Sequence, residues 1–282
     1  PILDIKSITY TPGGAANTAY NLSVLADKVF LVGIIGAEDK GKLLKEIAEK
    51  KGIDTAGIFI DEARKTTIKT RAVAKGQQMI RLDYEDKDPI NSINEQKILD
   101  FVKEKIKEVS AIIISDYSKG VVTESLAKRI IEIARNSNVF CLVDSKAKDY
   151  QKYRNCNVAI PNEKELAGAL NLEIRNEGQF LEAGKMLLSH LCCDNVLVKR
   201  GAKGMTLFEK YGNTFSFPAM NKQPVDVSGA GDTAIAVFTL ALSAGANLKE
   251  AVTIASFACG IVVGKMGTAI AEPEELKDGL KL

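Results

Sequence analysis

Short β-branched runs alternate with amphipathic stretches along most of the chain, and that rhythm predicts strands that are each followed by a helix. Strands are expected at Val29–Ile35, Ala111–Ser115, Val139–Val143, Asn157–Ile160 and Asn195–Lys199, each apolar on nearly every residue. Such runs belong to strands covered on both faces, because a strand with one wet face would alternate apolar and polar residues. Helices are expected at Ala15–Leu25, Gly41–Lys51, Ile93–Val109, Glu124–Asn136, Glu163–Leu170, Glu177–Leu191, Ala230–Ala244 and Leu248–Val263. Several are opened by Asp, Asn or Ser and closed near Gly or Asn, the residues that cap helix ends. The fold class that follows is α/β, a mostly parallel central sheet with helices on both faces.

One stretch departs from the rhythm. Thr66–Ala74 and Gln77–Asp83 read as two strands joined at Lys75-Gly76 with no helix between them, which predicts a hairpin. Its alternation is only half apolar, so it suits a flap over a cleft, a subunit contact or a solvated edge hairpin. No internal repeat, low-complexity tract or linker interrupts the chain, and a single domain over residues 1–282 is expected.

Composition narrows the function. The chain has 282 residues, 46% apolar and 26% charged, enough for one large α/β domain. Lys and Arg almost balance Asp and Glu, and the basic residues are spread out, so neither nucleic acid nor a membrane surface is an expected partner. No apolar run has the length of a membrane span, and Pro1–Lys6 lacks the order of a signal peptide, which predicts a cytoplasmic address. Cys141, Cys156, Cys192, Cys193 and Cys259 lie mostly in apolar runs without C-x-x-C spacing and read as reduced core residues. With His190 the only histidine, a His-dependent triad or His-rich zinc site is almost excluded. The chemistry then rests on carboxylates, lysines and backbone amides.

Asp226-Val227-Ser228-Gly229-Ala230-Gly231-Asp232-Thr233, followed at once by an apolar helical run, is the most informative segment. Glycines let the backbone turn tightly, and a helix start aims unpaired N–H groups and the positive end of its dipole at one spot, where an anion fits. Asp232 in the first turn can reach an acceptor hydroxyl beside that anion, and with an unperturbed pKa of about 3.9 it is ionised and able to take the proton. A plainer reading makes the segment a Gly-rich turn in which Asp232 only stabilises the helix dipole.

The segment resembles the D-T/V-x-G-A-G-D signature of the ribokinase (PfkB-type) sugar kinases, and other stretches agree in the family's order. Pro12-Gly13-Gly14-Ala15-Ala16-Asn17 resembles the G-G-x-x-x-N segment, Gly33–Gly41 the next strand-to-helix turn, Asn162-Glu163-Lys164-Glu165 the N-x-x-E motif, and Lys199-Arg200-Gly201-Ala202-Lys203-Gly204 the T-x-G-x-x-G turn. The resemblance implies a ribokinase-like three-layer sandwich with a small β-hairpin lid, its strands near residues 2–10 and 56–85. It implies ATP and Mg²⁺, with Asp232 as base beside the amides of Gly229, Ala230 and Gly231. Gly13, Gly14 and Asn17 would bind sugar hydroxyls, Glu165 would place a water-shelled Mg²⁺, and Asn162, Lys199, Gly201, Gly204 and Ser256 would border the nucleotide. It also implies a homodimer that meets through the lid. Taken one at a time, the pieces also read as a helix start at Gly13-Gly14, a capping box at Asn162 and Glu165, and hairpin punctuation at Gly201 and Gly204.

Within the family the likeness is to the heptose 7-phosphate kinases of lipopolysaccharide core synthesis. It is carried by Pro12–Leu22, Gln77–Asp83, Ser115-Asp116-Tyr117-Ser118-Lys119-Gly120, Val143–Lys146 and Gly264–Thr268. This implies D-glycero-D-manno-heptose 7-phosphate as substrate, phosphorylated at its anomeric hydroxyl to the 1,7-bisphosphate. A substrate that already carries a phosphate needs cations in its pocket. Arg81 on the hairpin, and Lys119 and Lys146 just past strand ends, stand where an open α/β sheet holds its ligands, or are solvated surface charges. Asp116 would accept a sugar hydroxyl or cap the following turn.

The chain also departs from the family's pattern. It opens after the point where such chains usually carry a strand and a G-D-x-x-x-D segment that holds sugar hydroxyls, and Lys199, Arg200 and Ser256 stand where other residues are usual. The alternatives are another ribokinase-type kinase, acting on fructose 6-phosphate, a nucleoside or ribose, and a non-catalytic nucleotide or sugar sensor on the same fold. A dinucleotide-binding Rossmann domain is set aside, since no G-x-G-x-x-G follows a first strand.

Overall fold

The computed structural model describes residues 2, 4–74, 77–220 and 224–280. Its central sheet has six strands in the order β10-β9-β8-β7-β6-β5, formed by β5 (Ala111–Asp116), β6 (Phe140–Ser145), β7 (Val158–Ala159), β8 (Asn195–Lys199), β9 (Met205–Glu209) and β10 (Thr214–Phe217). Pairing is parallel from β5 to β8 and antiparallel at β9 and β10. A parallel pair, β1 (Phe30–Ile35) and β2 (Asp54–Ile60), forms a second sheet, and an antiparallel pair, β3 (Ile68–Ala74) and β4 (Gln77–Tyr84), forms the hairpin. The expected turn at Lys75-Gly76 lies outside the described residues.

Both faces of the six-stranded sheet are covered, which is why its strands read as continuous apolar runs. Cys141, Val143, Ala159, Val196 and Val198 pack with residues of α3 (Ser92–Lys105), α4 (Glu124–Asn136) and α6 (Glu177–Leu191). Leu142, Val158 and Leu197 point the other way, into a core shared with α7 (Ala230–Ser243) and α8 (Leu248–Val262). Each large apolar side chain so buried contributes about 1.5–3 kcal/mol against exposure, enough in sum to set the layers. The remaining helices are α1 (Ala15–Ser23), α2 (Asp39–Lys50), α5 (Glu163–Leu170) and α9 (Pro273–Leu280). Among the described residues no helix is long and apolar enough to cross a membrane.

The expected elements form with ends shifted by a few residues, and β8, α4, α5 and α6 have the expected bounds. The stretch from residue 93 to 109 ends its α-helix early, at Lys105, and continues as a 3₁₀ turn, Ile106–Glu108. Four elements were not expected: β2 carries Asp54, Thr55 and Gly57, β9 and β10 are short antiparallel strands at one end of the sheet, and α9 starts at a proline. The lid strand expected at 2–10 is not formed. Its described residues are irregular, with Ile2, Ile5 and Ile8 exposed, and the hairpin strands pair only with each other, so no edge takes up the backbone groups there. Cys192 also departs from the expected core: it is exposed, closing α6 in the left-handed conformation with φ 48°.

Among the described residues β1 pairs only with β2 and β5 only with β6, so each leaves one edge free. Both strands line one cavity of about 1890 Å³ that runs out under the hairpin and past the start of α7. The hairpin is tied down at its base: Arg64 donates to the carbonyls of Asp86, Asp88 and Lys119, and Lys119 Nζ pairs with Glu85 at 2.6 Å. Lys69, Arg71, Arg81 and Tyr84 of the hairpin line the cavity, the position a flap over a cleft would take.

Candidate active site

The candidate residues meet where parallel strands end. Asp116 closes β5, Asp144 and Ser145 close β6, Asn162 follows β7 and Lys199 closes β8. In an open parallel sheet this edge is where ligands bind. The start of α7 stands beside it. Gly229 takes φ 84°, a conformation L side chains rarely adopt, and from there the chain turns into the helix. The N–H groups of Gly231 and Asp232 fall in the first turn, where no intrahelical carbonyl can reach them.

Asp232 is only 7% exposed, yet it lines the cavity together with Asn17, Tyr117, Ser228 and Gly229. One oxygen, Oδ2, accepts from Asn17 Nδ2 at 2.7 Å; the other, Oδ1, accepts from the Tyr117 hydroxyl at 2.6 Å and, at 3.4 Å, from Thr18 Oγ1. A seam of buried polar contacts continues behind it, with Thr233 Oγ1 donating to Asn21 Oδ1 at 2.7 Å and Asn21 Nδ2 to the Asn17 carbonyl at 2.9 Å. Asn17, Thr18 and Asn21 sit on one face of α1, as residues three and four apart must, and that face meets α7. Burial raises the Asp232 carboxyl above its ordinary pKa, and Asp144 adds to this; the bonds from Asn17 and Tyr117 and the charge of Lys199 oppose it. Asn17 Oδ1 is buried and has no partner, so its accepting capacity is unused in this arrangement.

The second group is a charge cluster. Lys199 Nζ pairs with Asp144 Oδ1 at 2.7 Å, and a side chain at Gly231 would meet that ammonium at 3.4 Å, so a cation stands directly beside the start of α7. Burial alone would lower the Lys199 pKa, but Asp144 and Glu165 outweigh it and the net direction is upward. Asn162 and Glu165 form the capping box: Asn162 Oδ1 accepts from the Glu165 N–H at 2.8 Å and Glu165 Oε2 from the Asn162 N–H at 2.7 Å. Burial raises the Glu165 pKa, Lys199 and the Asn162 N–H pull it down, and Asp144 adds to the rise. Gly204 has φ 86° and packs so closely on the Phe217 carbonyl that no Cβ fits, while Gly201 has φ 57° with open space around it.

Several expected roles are corrected. Asp116 is poorly placed for a sugar: it is 3% exposed, with Oδ2 held by Lys152 Nζ at 2.6 Å and Tyr153 Oη at 2.5 Å and Oδ1 accepting from the Ser118 N–H at 2.7 Å. It caps the turn after β5, the plainer of its two readings. Lys119 is held by Glu85, whose carboxyl this bond and those of Lys69 pull down to about 2, and Arg81 is held by Asp83 through two contacts of 2.9 and 3.0 Å. Neither offers a free cation as it stands. Lys146 does line the cavity, with Nζ 4.0 Å over the Tyr117 ring. Ser256 lies on the buried face of α8 with a shielded, unpartnered hydroxyl and presents nothing to a base. Gly13 and Gly14 start α1 at the cavity wall, Gly14 with φ 57°. Sequence reasoning missed Tyr117 and Asp144, although both sit inside segments that carry the heptose kinase likeness.

The chain is similar to known proteins over nearly its whole length. A family model described as pfkB family carbohydrate kinase matches residues 2–275. The bifunctional protein HldE of Helicobacter pylori strain J99 is 41% identical over 276 residues, 98% of this chain and 59% of that protein. HldE of Geobacter metallireducens is 38% identical over 275 residues, 98% of this chain and 56% of that protein. The chain thus spans less than two thirds of these curated relatives. Among solved structures, ribokinase of Thermotoga maritima superposes with a TM-score of 0.79 at 24% identity, covering 100% of this chain and 92% of that one. An Arabidopsis thaliana ribokinase complexed with ribose and ATP gives 0.78 at 18% identity, covering 95% and 86%. At these identities the solved structures show the fold, ribokinase-like α/β.

Proposed function

The chain belongs to the pfkB family of carbohydrate kinases, enzymes that move a phosphoryl group from ATP to a sugar hydroxyl, and we propose that it phosphorylates the anomeric hydroxyl of D-glycero-D-manno-heptose 7-phosphate. The motif likeness to heptose 7-phosphate kinases and the near-complete alignment with the HldE proteins support this substrate. The product would be the 1,7-bisphosphate, on the route to ADP-heptose and the lipopolysaccharide core. Residues 1–282 are read as one kinase domain. The reading of the site rests on one observation: a carboxylate, Asp232, at the cavity wall in the first turn of a helix whose free N–H groups and neighbouring ammonium, Lys199, suit a phosphoryl group.

In this reading Asp232 takes the proton of the attacking hydroxyl, while the amides of Gly229 and Gly231 and the Lys199 ammonium stabilise charge on the transferring group; the Ala230 N–H would first have to leave the Val227 carbonyl, 3.3 Å away. Asn17, which lines the cavity, receives a sugar hydroxyl beside the Gly13-Gly14 turn. Lys146 is the cation best placed for the substrate's own phosphate; Lys119 and Arg81 would first have to leave Glu85 and Asp83. Asn162, Gly201 and Gly204 border the nucleotide. Glu165 and Asp144 are two hard oxygen donors, and among the described residues no group of three or more candidate ligands surrounds a metal. That donor set fits Mg²⁺, which keeps several waters and binds through one or two carboxylates plus substrate phosphates. When bound, it would neutralise charge on the β- and γ-phosphates. A homodimer through the hairpin is part of the proposal, supported by the exposure of Val73, Met79, Ile80, Leu82 and Tyr84 on that hairpin.

The substrate is tested by ADP release against a panel of heptose 7-phosphate, fructose 6-phosphate, ribose and a nucleoside. Turnover is expected with the heptose phosphate, and the assignment is lost if it is inert while another acceptor reacts. The base is tested by pH. Asp232 works only when deprotonated, and its pKa is raised by burial, so kcat/KM should fall on the acid side through a pKa above that of a free aspartate. An acid limb at or below the ordinary value of 3.8 would speak against Asp232 as the group that titrates.

A further inference from the structure

Tyr117 is built into the site more firmly than a cavity-wall residue requires. It sits at the tip of the turn after β5, next to Ser118, which holds the left-handed φ of 55° that a non-glycine residue adopts only under constraint. The constraint is Asp116, whose Oδ1 accepts from the Ser118 N–H and whose Oδ2 is clamped by Lys152 and Tyr153. The ring then lies against Gly14, where a Cβ would sit 3.5 Å from ring carbon Cδ2, and Lys146 Nζ stands 4.0 Å from the ring centroid. This support aims the hydroxyl at Asp232 Oδ1, 2.6 Å away. Oδ2 carries the bond from Asn17, and on Oδ1 the Tyr117 hydroxyl is the near donor, with Thr18 Oγ1 farther off at 3.4 Å, so the phenol holds the main place on Oδ1. Burial and the charge of Asp232 push the phenol well above its ordinary pKa, so it stays protonated and donates.

We propose that the Tyr117 hydroxyl is a stand-in for the acceptor alcohol: before sugar binds it fills the place on Asp232 Oδ1 that a sugar hydroxyl takes in turnover, and so keeps water out of that place. This rests on the reading of Asp232 as the base. A sugar bringing several hydroxyls to Asn17 and the Gly13-Gly14 turn can displace a single phenol, whereas one water brings no such set of contacts. The device limits wasteful ATP hydrolysis. In that leak a water oxygen would bond the γ-phosphorus, its proton would pass to Asp232, and the bridging oxygen would leave with ADP.

The test is Tyr117→Phe, which keeps the ring on Gly14 and beneath Lys146 and removes only the hydroxyl. Phosphate release from Mg-ATP without sugar is measured per nucleotide-binding site, counted with a fluorescent ATP analogue, so that partial misfolding cancels. Admitting water to a general base should raise this leak about tenfold or more, and the excess should vanish when Asp232→Asn is added. An unchanged or lower leak overturns the proposal, as does an excess that persists in the double variant. If Asp232→Asn alone still phosphorylates sugar at near the parent rate, it is the base assignment that has failed, a result distinct from an unchanged leak.

Discussion

Asp232→Asn should lower sugar-dependent turnover by roughly 10²–10⁴-fold, the range a general base contributes, while ATP still binds. The new side chain has the same shape and the same place in the first turn of α7, so the amides and the Lys199 ammonium that face the phosphates are undisturbed. What is lost is one acceptor oxygen and the capacity to hold a proton. The neighbours can adapt: the Asn17 amide can rotate to offer its unpartnered Oδ1, and the Tyr117 hydroxyl can accept as well as donate. Melting temperature and nucleotide affinity are therefore expected to stay near the parent values as kcat collapses. A variant that keeps more than about a tenth of the parent kcat would remove Asp232 from the role of base.

Lys199→Met should cost folding stability on the order of 3–5 kcal/mol, the size found when one partner of a buried ion pair is removed. The pair is well shielded, with side chains 15% and 11% exposed, and Lys199 is the counter-charge that Asp144 and Glu165 share. Without it Asp144 is left charged and unpaired in a poor solvent, and Glu165 loses the cation that holds its raised pKa in check. Adding Asp144→Asn should restore a large part of the loss, because the stranded charge goes with it, whereas activity should stay low because the ammonium beside Gly231 is still missing. Urea unfolding of the parent, the single and the double variants measures this. A single variant within about 1 kcal/mol of the parent would mean that the pair is a surface-like contact.

The two variants probe parts of the site that differed in legibility. Asp232, Gly229 and Gly231 were readable because their chemistry is local: a glycine turn running into an apolar helix places a carboxylate, free amides and a dipole within one helical turn. Asn162 and Glu165 were readable for the same reason, three residues apart across a helix start. Asp116, Lys119 and Arg81 were read without their occupants, which come from far along the chain or, for Arg81, from two residues along the same strand. Lys152 and Tyr153 reach Asp116 from beyond β6, Glu85 reaches Lys119 from the end of the hairpin, and Asp83 takes Arg81 two residues away. Charge type alone cannot tell a free cation from a paired one. Ser256 was misplaced because a helix residue's direction depends on what its helix packs against, and α8 turns that face to the core.

By itself the sequence determined the α/β class, the order of most strands and helices, and the position of the helix start that carries the carboxylate. These follow from short continuous apolar runs, from a period of 3.6 residues and from short capping signals, all contained in a few consecutive residues. Only the tertiary structure decided which partners fill the site. Tyr117 meets Asp232 across 115 positions, Asn17 meets it across 215, and Lys199 meets Asp144 across 55. Such pairings are fixed by how layers stack and where strands end, and the energy that sets them is spread over the whole core, so no local pattern of residues records them.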